Sequence, residues 1–247
     1  MPEQLVINEI YLSLQGESTY AGLPCIFVRL TACNLRCSYC DTAYAFKEGE
    51  RQELADVLSE IKRLAEPYAR GESASGLGKL PLVELTGGEP LLQKGSIKLM
   101  EQLCELGFTV LLETSGSLDI SSVDIRVRRI MDLKCPSSGE NARNRWANLE
   151  HLQPTDEIKF VIGTHEDYAW ARENIVSRNL AALCTLLFSW VHPLSTEQQD
   201  KSLKRVPEAQ TPITRLELVE NILKDALPVR FQLQMHKIIW APEERGV

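Results

Sequence analysis

Three cysteines, Cys33, Cys37 and Cys40, stand at C-x3-C-x2-C spacing in the segment Cys33-Asn34-Leu35-Arg36-Cys37-Ser38-Tyr39-Cys40-Asp41-Thr42. Thiolates are soft ligands, and three this close in sequence can all reach one small cluster or ion. A structural zinc site closes with four protein ligands. No histidine lies near this loop, Asp41 adjoins Cys40 and would be cramped, and Cys25 alternates with apolar neighbours as a core residue does. Two chemistries stay open: zinc with a further ligand, or a four-iron cluster whose fourth iron takes an exogenous ligand. Spacing alone does not separate them.

A second segment, Thr86-Gly87-Gly88-Glu89-Pro90, directly follows the apolar run Leu82-Val83-Glu84-Leu85. Paired glycines let backbone approach a ligand closely. A carboxylate such as Glu89 accepts hydrogen bonds from an ammonium group, and Pro90 directs the chain into the next helix. As a bare pentapeptide this is a common turn. Downstream of a cysteine loop it carries much more weight.

Such loops need a scaffold that gathers several strand ends. Apolar runs predict strands over 4–12, 24–30, 82–85, 108–113, 129–134, 157–162, 183–188 and 230–234. Helical spacing predicts helices over 52–65, with Pro67 as the stop, over 93–106, from Thr164 to about Arg178, and over 214–225. Strands alternating with helices predict an α/β fold with a parallel sheet, whose active groups collect at the carboxyl ends of the strands. The cysteine loop, 86–90, 114–116 and 135–139 all fall at that end. These short runs do not make a secure closed eight-stranded barrel, so the expectation is a partial or modified (β/α) barrel in one domain over 1–247. Residues 69–79, rich in Gly, Ser and Ala, predict a flexible surface insertion.

The formal charge of the 247 residues is 27 − 34 = −7. That argues against general affinity for nucleic acid or an anionic membrane. No apolar stretch approaches the ~20 residues of a membrane span. The segment Met1-Pro2-Glu3-Gln4 shows no signal-peptide pattern, and the cysteine count of seven is odd, so reduced thiols in the cytoplasm are expected. His151, His165 and His192 are expected on helices or loops without a site role.

The two motifs together resemble the radical S-adenosylmethionine enzymes. In that family three cysteines bind a [4Fe-4S] cluster, S-adenosylmethionine chelates the fourth iron, and the GGEP segment receives its amino group. A narrower resemblance, to the 7-carboxy-7-deazaguanine synthase family, covers most of the chain. It runs through Leu14-Gln15-Gly16-Glu17, Phe27 to Leu35, Cys37 to Thr42, Thr86 to Pro90, Glu113 to Gly116, Asp132 to Pro136, Gln232 to Lys237 and Arg245-Gly246-Val247. The Leu-Gln-Gly-Glu loop and the Gln-x-x-x-His-Lys segment set it apart from other radical enzymes.

The narrower resemblance implies conversion of 6-carboxy-5,6,7,8-tetrahydropterin to 7-carboxy-7-deazaguanine with loss of ammonia, a lyase step towards queuosine. It assigns Leu14, Gln15, Gly16, Glu17, Arg29, Thr86, His236 and Val247 to the substrate. Tyr39, Cys40, Asp41, Gly87, Gly88 and Glu89 go to S-adenosylmethionine, with Glu113 as the ribose contact. Cys33, Cys37 and Cys40 hold the cluster, and Thr42 holds Mg2+, with Asp41 as a second choice. Cys135, Pro136 and Ser137 take the place of a Ser-Pro-Lys cofactor contact, which leaves its lysine without a counterpart. The family also implies a homodimer and an electron donor such as flavodoxin or ferredoxin. The alternatives weighed are a glycyl-radical activating enzyme, whose substrate is a protein loop, and a non-catalytic zinc or iron–sulfur module.

Overall fold

The computed structural model describes residues 3–69, 80–196, 198–241 and 244–247. Among them nine strands form one sheet: β1 (Gln4–Leu14), β2 (Pro24–Leu30), β3 (Glu50–Glu53), β4 (Leu82–Gly87), β5 (Val110–Thr114), β6 (Arg128–Asp132), β7 (Glu157–Ile162), β8 (Thr185–Trp190) and β9 (Arg230–Gln232). Their order is β3-β1-β2-β4-β5-β6-β7-β8-β9. From β2 to β9 every neighbouring pair is parallel, while β1 runs antiparallel to both β2 and β3. The sheet stays open, as expected of a partial barrel.

Five helices accompany it: α1 (Leu54–Ala69), α2 (Gly95–Glu105), α3 (His165–Ser177), α4 (Arg215–Lys224) and the short α5 (His236–Ile239). Thr164 and Thr214 start α3 and α4 with reciprocal capping boxes to Asp167 and Glu217. Two boundaries differ from the sequence expectation. Pro67 does not stop α1 but lies inside its last turns, where losing one amide donor is tolerated. Strand β3, Glu-Arg-Gln-Glu, has no apolar residue to signal it; main-chain pairing to β1 makes it an edge strand. The insertion expected over 69–79 lies outside the described residues, apart from Ala69 at the end of α1.

Strand alternation sorts the side chains onto two faces. Ile26, Val28, Leu30, Val83, Leu85, Val110, Leu112, Ile158 and Phe160 belong to the larger core, which includes the helix residues Val57, Ile61, Leu99 and Leu103. The other face begins with a small apolar floor of Cys25, Phe27, Leu82, Leu111 and Ile130, with Tyr11 packed against it. Cys25 is thus a core residue, as its apolar neighbours predicted. One step further along the same strands the same face turns polar: Arg29, Glu84, Thr86, Glu113, Asp132 and Lys159. The floor gains about 1.5–3 kcal/mol for each large apolar side chain it buries. The polar layer above it carries a desolvation cost that its own pairings must offset.

Candidate active site

The polar layer and the loops at the strand ends enclose a cavity of about 520 Å³. Cys33, Cys37 and Cys40 all line it. Their loop is held by backbone rather than by chance. Ala32 takes a positive φ of 79° just before Cys33, and its carbonyl accepts the Glu89 amide at 2.8 Å. Gly88 packs so closely here that a Cβ would lie 2.0 Å from the Ala32 oxygen. Arg36 lies over the Phe46 ring at 4.1 Å and donates to the carbonyls of Cys33 and Leu35. The Arg36 amide donates to Glu140, and Ser38 N donates to Ser138 O.

Burial raises all three thiols, that of Cys37 up to about 12. Among the described residues no three His, Cys, Asp or Glu side chains form a group that could hold a single metal ion. Three soft thiol donors on one cavity wall are the donor set of a cysteine-bound cluster.

Tyr39, Cys40, Asp41, Gly87, Gly88 and Glu113 also line the cavity, whereas four residues expected at the cofactor do not. Glu89 is fully buried behind the wall. Its carboxylate accepts from Thr114 Oγ1 at 2.9 Å, Ser115 N at 2.8 Å, Ser115 Oγ at 2.5 Å and Leu91 N at 3.1 Å. Those bonds fix the end of β5 against the GGEP turn and leave no reach for a ligand ammonium. Cys135 is fully buried in the core. Pro136 and Ser137 begin a short 3-10 turn, in which Ser137 N donates to Asp167.

A lysine does line the cavity close by: Lys134, three residues before Ser137. Lys134 and Asp132 both line the cavity, and their Nζ–Oδ2 distance is 2.7 Å. Burial opposes the Lys134 charge, but Asp132 and the nearby Cys37 outweigh it and push its pKa up. The Tyr39 hydroxyl and Asp132 Oδ1 are buried without a hydrogen-bond partner. Orphan polar atoms in a cavity wall call for a bound partner.

Leu14, Gln15, Gly16 and Glu17 line the same cavity, with Arg29, Thr86, His236 and Val247. Gln15 donates to Glu84 and accepts the Glu17 amide at 2.7 Å, which ties the loop after β1 to the cavity wall. A Cβ on Gly16 would lie 2.5 Å from His236 Nδ1, so glycine is required where the segment before α5 crosses that loop. Arg29 Nε donates to Glu9 at 2.6 Å and Nη2 to the Tyr11 hydroxyl at 3.0 Å, which leaves Nη1 for a ligand. Thr86 Oγ1 donates to Glu113 at 3.0 Å. That bond ties Glu113, expected at the ribose, to Thr86, expected at the substrate.

Asp41 forms an ion pair with Lys237 at 2.5 Å. Burial works against its charge, yet Lys237 holds the carboxyl down to about 2. That pairing weakens Asp41 as a magnesium ligand and leaves Thr42, also on the cavity wall, better placed. Arg245 lies over the Tyr44 ring at 3.7 Å and pairs with Glu48, so the C-terminal residues fold onto the cavity. His192 lines the cavity too, contrary to expectation.

The Radical SAM superfamily model matches residues 28–175. A 7-carboxy-7-deazaguanine synthase of Koribacter versatilis is 43% identical over 243 residues, covering 98% of this chain and 99% of that one. The chain belongs to the radical SAM superfamily and, within it, to the 7-carboxy-7-deazaguanine synthases. A second synthase, from Chlorobaculum tepidum, is 38% identical over 98% of this chain and 97% of its own length. The fold resembles the crystal structure of QueE from Escherichia coli with a TM-score of 0.67, at 22% identity over 94% of this chain and 95% of that one. Membership in this family of carbon–nitrogen lyases brings its two cofactors, a [4Fe-4S] cluster and S-adenosylmethionine.

Sequence reasoning missed Glu84, Lys134 and Lys159 in the synthase cavity. The first and last were legible as charges at alternate positions of otherwise apolar strands.

Proposed function

We propose that this chain converts 6-carboxy-5,6,7,8-tetrahydropterin to 7-carboxy-7-deazaguanine with release of ammonia, as one catalytic domain over residues 1–247. The observation that carries the reading is one cavity lined both by the three cysteines and by the Leu14–Glu17 loop, Arg29, His236 and Val247. A glycyl-radical activating enzyme needs a groove for a protein loop, and the Leu14–Glu17 loop that lines this cavity speaks for a small molecule instead. When bound, the cluster and S-adenosylmethionine supply hydrogen-atom abstraction.

The chain's own residues bind and shield. Cys33, Cys37 and Cys40 hold the cluster. Tyr39, Asp41, Gly88, Asp132 and Lys134 face S-adenosylmethionine, with Asp132 Oδ1 as the unmet acceptor for a ribose hydroxyl or an ammonium. Gln15, Gly16, Glu17, Thr86 and His236 surround the pterin, and Arg29 Nη1 faces its carboxylate. Burial lowers the His236 pKa below its ordinary value, so its ring serves as a neutral donor or acceptor. Thr42 is the proposed protein ligand of Mg2+. A homodimer, a flavodoxin- or ferredoxin-type donor and a cytoplasmic setting complete the reading. No described helix is long and apolar enough to cross a membrane.

The test is anaerobic reconstitution with iron and sulfide, followed by assay with the carboxypterin. Formation of 7-carboxy-7-deazaguanine is the expected result. Production of 5′-deoxyadenosine without the deazapurine would overturn the substrate assignment and leave the superfamily chemistry standing.

A further inference from the structure

Lys159 has no role in the reading above, yet it stands at the centre of the polar layer. It projects from β7 with its side chain 6% exposed. Its Nζ lies 2.8 Å from Glu17 Oε2, in the loop after β1, and is hydrogen-bonded to Glu113 Oε1, at the end of β5. Both carboxylates and the lysine line the cavity. One ammonium thus joins a loop to a strand two places across the sheet. The second oxygen of Glu113 receives Thr86 Oγ1 at 3.0 Å. Glu84 faces the same group and is itself tied to Gln15.

We propose that Lys159 is a positioning residue that sets Glu17 and Glu113 as a fixed pair of carboxylate acceptors for the donor-bearing edge of the substrate, its 2-amino and ring N–H groups. This rests on the pterin assignment above. A 2-amino-4-oxopyrimidine edge offers adjacent N–H donors, and carboxylates are the side chains that accept two at once. Left alone in a buried layer, two carboxylates beside Glu84 repel one another and turn apart. A lysine between them holds both at hydrogen-bonding distance on the cavity wall that they line. The directions agree: Glu17 is held below the usual carboxylate range, mainly by Lys159 acting against burial, while burial and the Glu113 charge raise Glu84 well above it. The layer therefore presents acceptors beside a carboxylic acid that can itself donate.

A purely structural counter-charge would look similar in the resting protein, so the test compares two ligands. Binding of 7-carboxy-7-deazaguanine and of its 2-deamino counterpart is measured by anaerobic calorimetry on reconstituted wild type, Lys159→Met and Lys159→Arg. Wild type should prefer the amino compound by about 10–100-fold, the range of one to two charge-assisted hydrogen bonds. Lys159→Met should lose most of that preference at unchanged iron content, and Lys159→Arg should keep part of it. A preference unchanged in Lys159→Met overturns the proposal. If Lys159→Met does not fold, Lys159→Gln is measured in its place, and a preference unchanged in that variant overturns the proposal. Wild type that neither binds these ligands nor converts the carboxypterin overturns the pterin assignment itself, and this inference with it.

Discussion

Replacing Gly88 by alanine tests whether the glycine pair serves backbone packing as well as ligand access. The added Cβ would lie 2.0 Å from the Ala32 oxygen, 2.4 Å from its carbonyl carbon and 3.0 Å from Cys33 N. All three are backbone atoms, so no side-chain rotation relieves the contact. Ordinary contact begins at 3.4 Å, so the loop must retreat by 3.4 − 2.0, about 1.4 Å. That movement breaks or stretches the Gly88 N to Leu30 O bond at 3.1 Å and the Glu89 N to Ala32 O bond at 2.8 Å. Each is worth about 1 kcal/mol net, and more if a buried group is left unpaired. The expected loss is therefore about 2–4 kcal/mol, or roughly 5–15 °C in melting temperature for a chain of this size. Cys33 moves with the loop, and a shift of about 1 Å is enough to disable a preorganised site. Iron and sulfide per chain after anaerobic reconstitution, with thermal melts, are the assay. Gly107→Ala is the control. It has a positive φ of 84° but nothing within 4 Å of the added carbon, so it should carry backbone strain of about 1–3 kcal/mol and bind a full cluster. A Gly88→Ala protein with wild-type iron content and an unchanged melting temperature refutes the packing argument.

Glu84 and Lys134 give two further predictions. The Glu84 carboxyl is raised well above its ordinary value by burial, so the folded chain holds a proton that the unfolded chain releases above about pH 4.3. Its contribution to stability is present below that value and is lost as pH rises towards the raised folded pKa, by up to about 1.4 kcal/mol per pH unit. Melting temperatures of wild type between pH 5.5 and 8.5 should therefore fall more steeply than those of Glu84→Gln. Parallel curves would mean that Glu84 is not the buried proton carrier. Lys134→Met should weaken S-adenosylmethionine binding about 10–100-fold, while Ser137→Ala should leave it unchanged, because Ser137 does not line the cavity. Equal losses in the two variants would restore the cofactor role to residues 135–137.

Most of the architecture was legible because periodicity carries it. Strands β2 and β7, the helices α3 and α4, and the collection of loops at one end of the sheet follow from apolar spacing and capping residues. The elements that escaped, β3 and α5, are short and made by tertiary contact: β3 by pairing with β1, α5 by packing of His236 against Gly16. At the site the cysteines were plain from spacing, but a motif letter does not say which way its side chain points. Glu89 has the right chemistry for an ammonium and the wrong side of the wall. A Ser-Pro-Lys triplet aligns with Cys135-Pro136-Ser137 through its proline, and that alignment does not point to Lys134. Alternation along β6 places Ile130 and Asp132 on the cavity side, and Lys134 continues that series where residues 135–137 turn into the wall.

The charges on the cavity wall bear on how an acidic substrate could be held. Five lysines and arginines line it among the described residues, and each is matched: Arg29 with Glu9, Lys134 with Asp132, Lys159 with Glu17 and Glu113, Lys237 with Asp41, and Arg245 with Glu48. A carboxylate entering this wall has two routes to a counter-charge. It can compete with a resident carboxylate for one of these cations, which for the buried pairs leaves a charge without its partner at about 3–5 kcal/mol, the Arg245–Glu48 pair being half exposed. Or it can arrive with a cation of its own. Arg29 keeps one free donor direction but no unshared charge, so it can orient a carboxylate better than it can neutralise one. A hard divalent ion held through the Thr42 hydroxyl, water and the substrate oxygens would supply the missing charge without disturbing any pair. That charge balance would favour the Mg2+ proposed at Thr42. It also explains why Asp41, the stronger ligand on chemistry alone, is spent on Lys237.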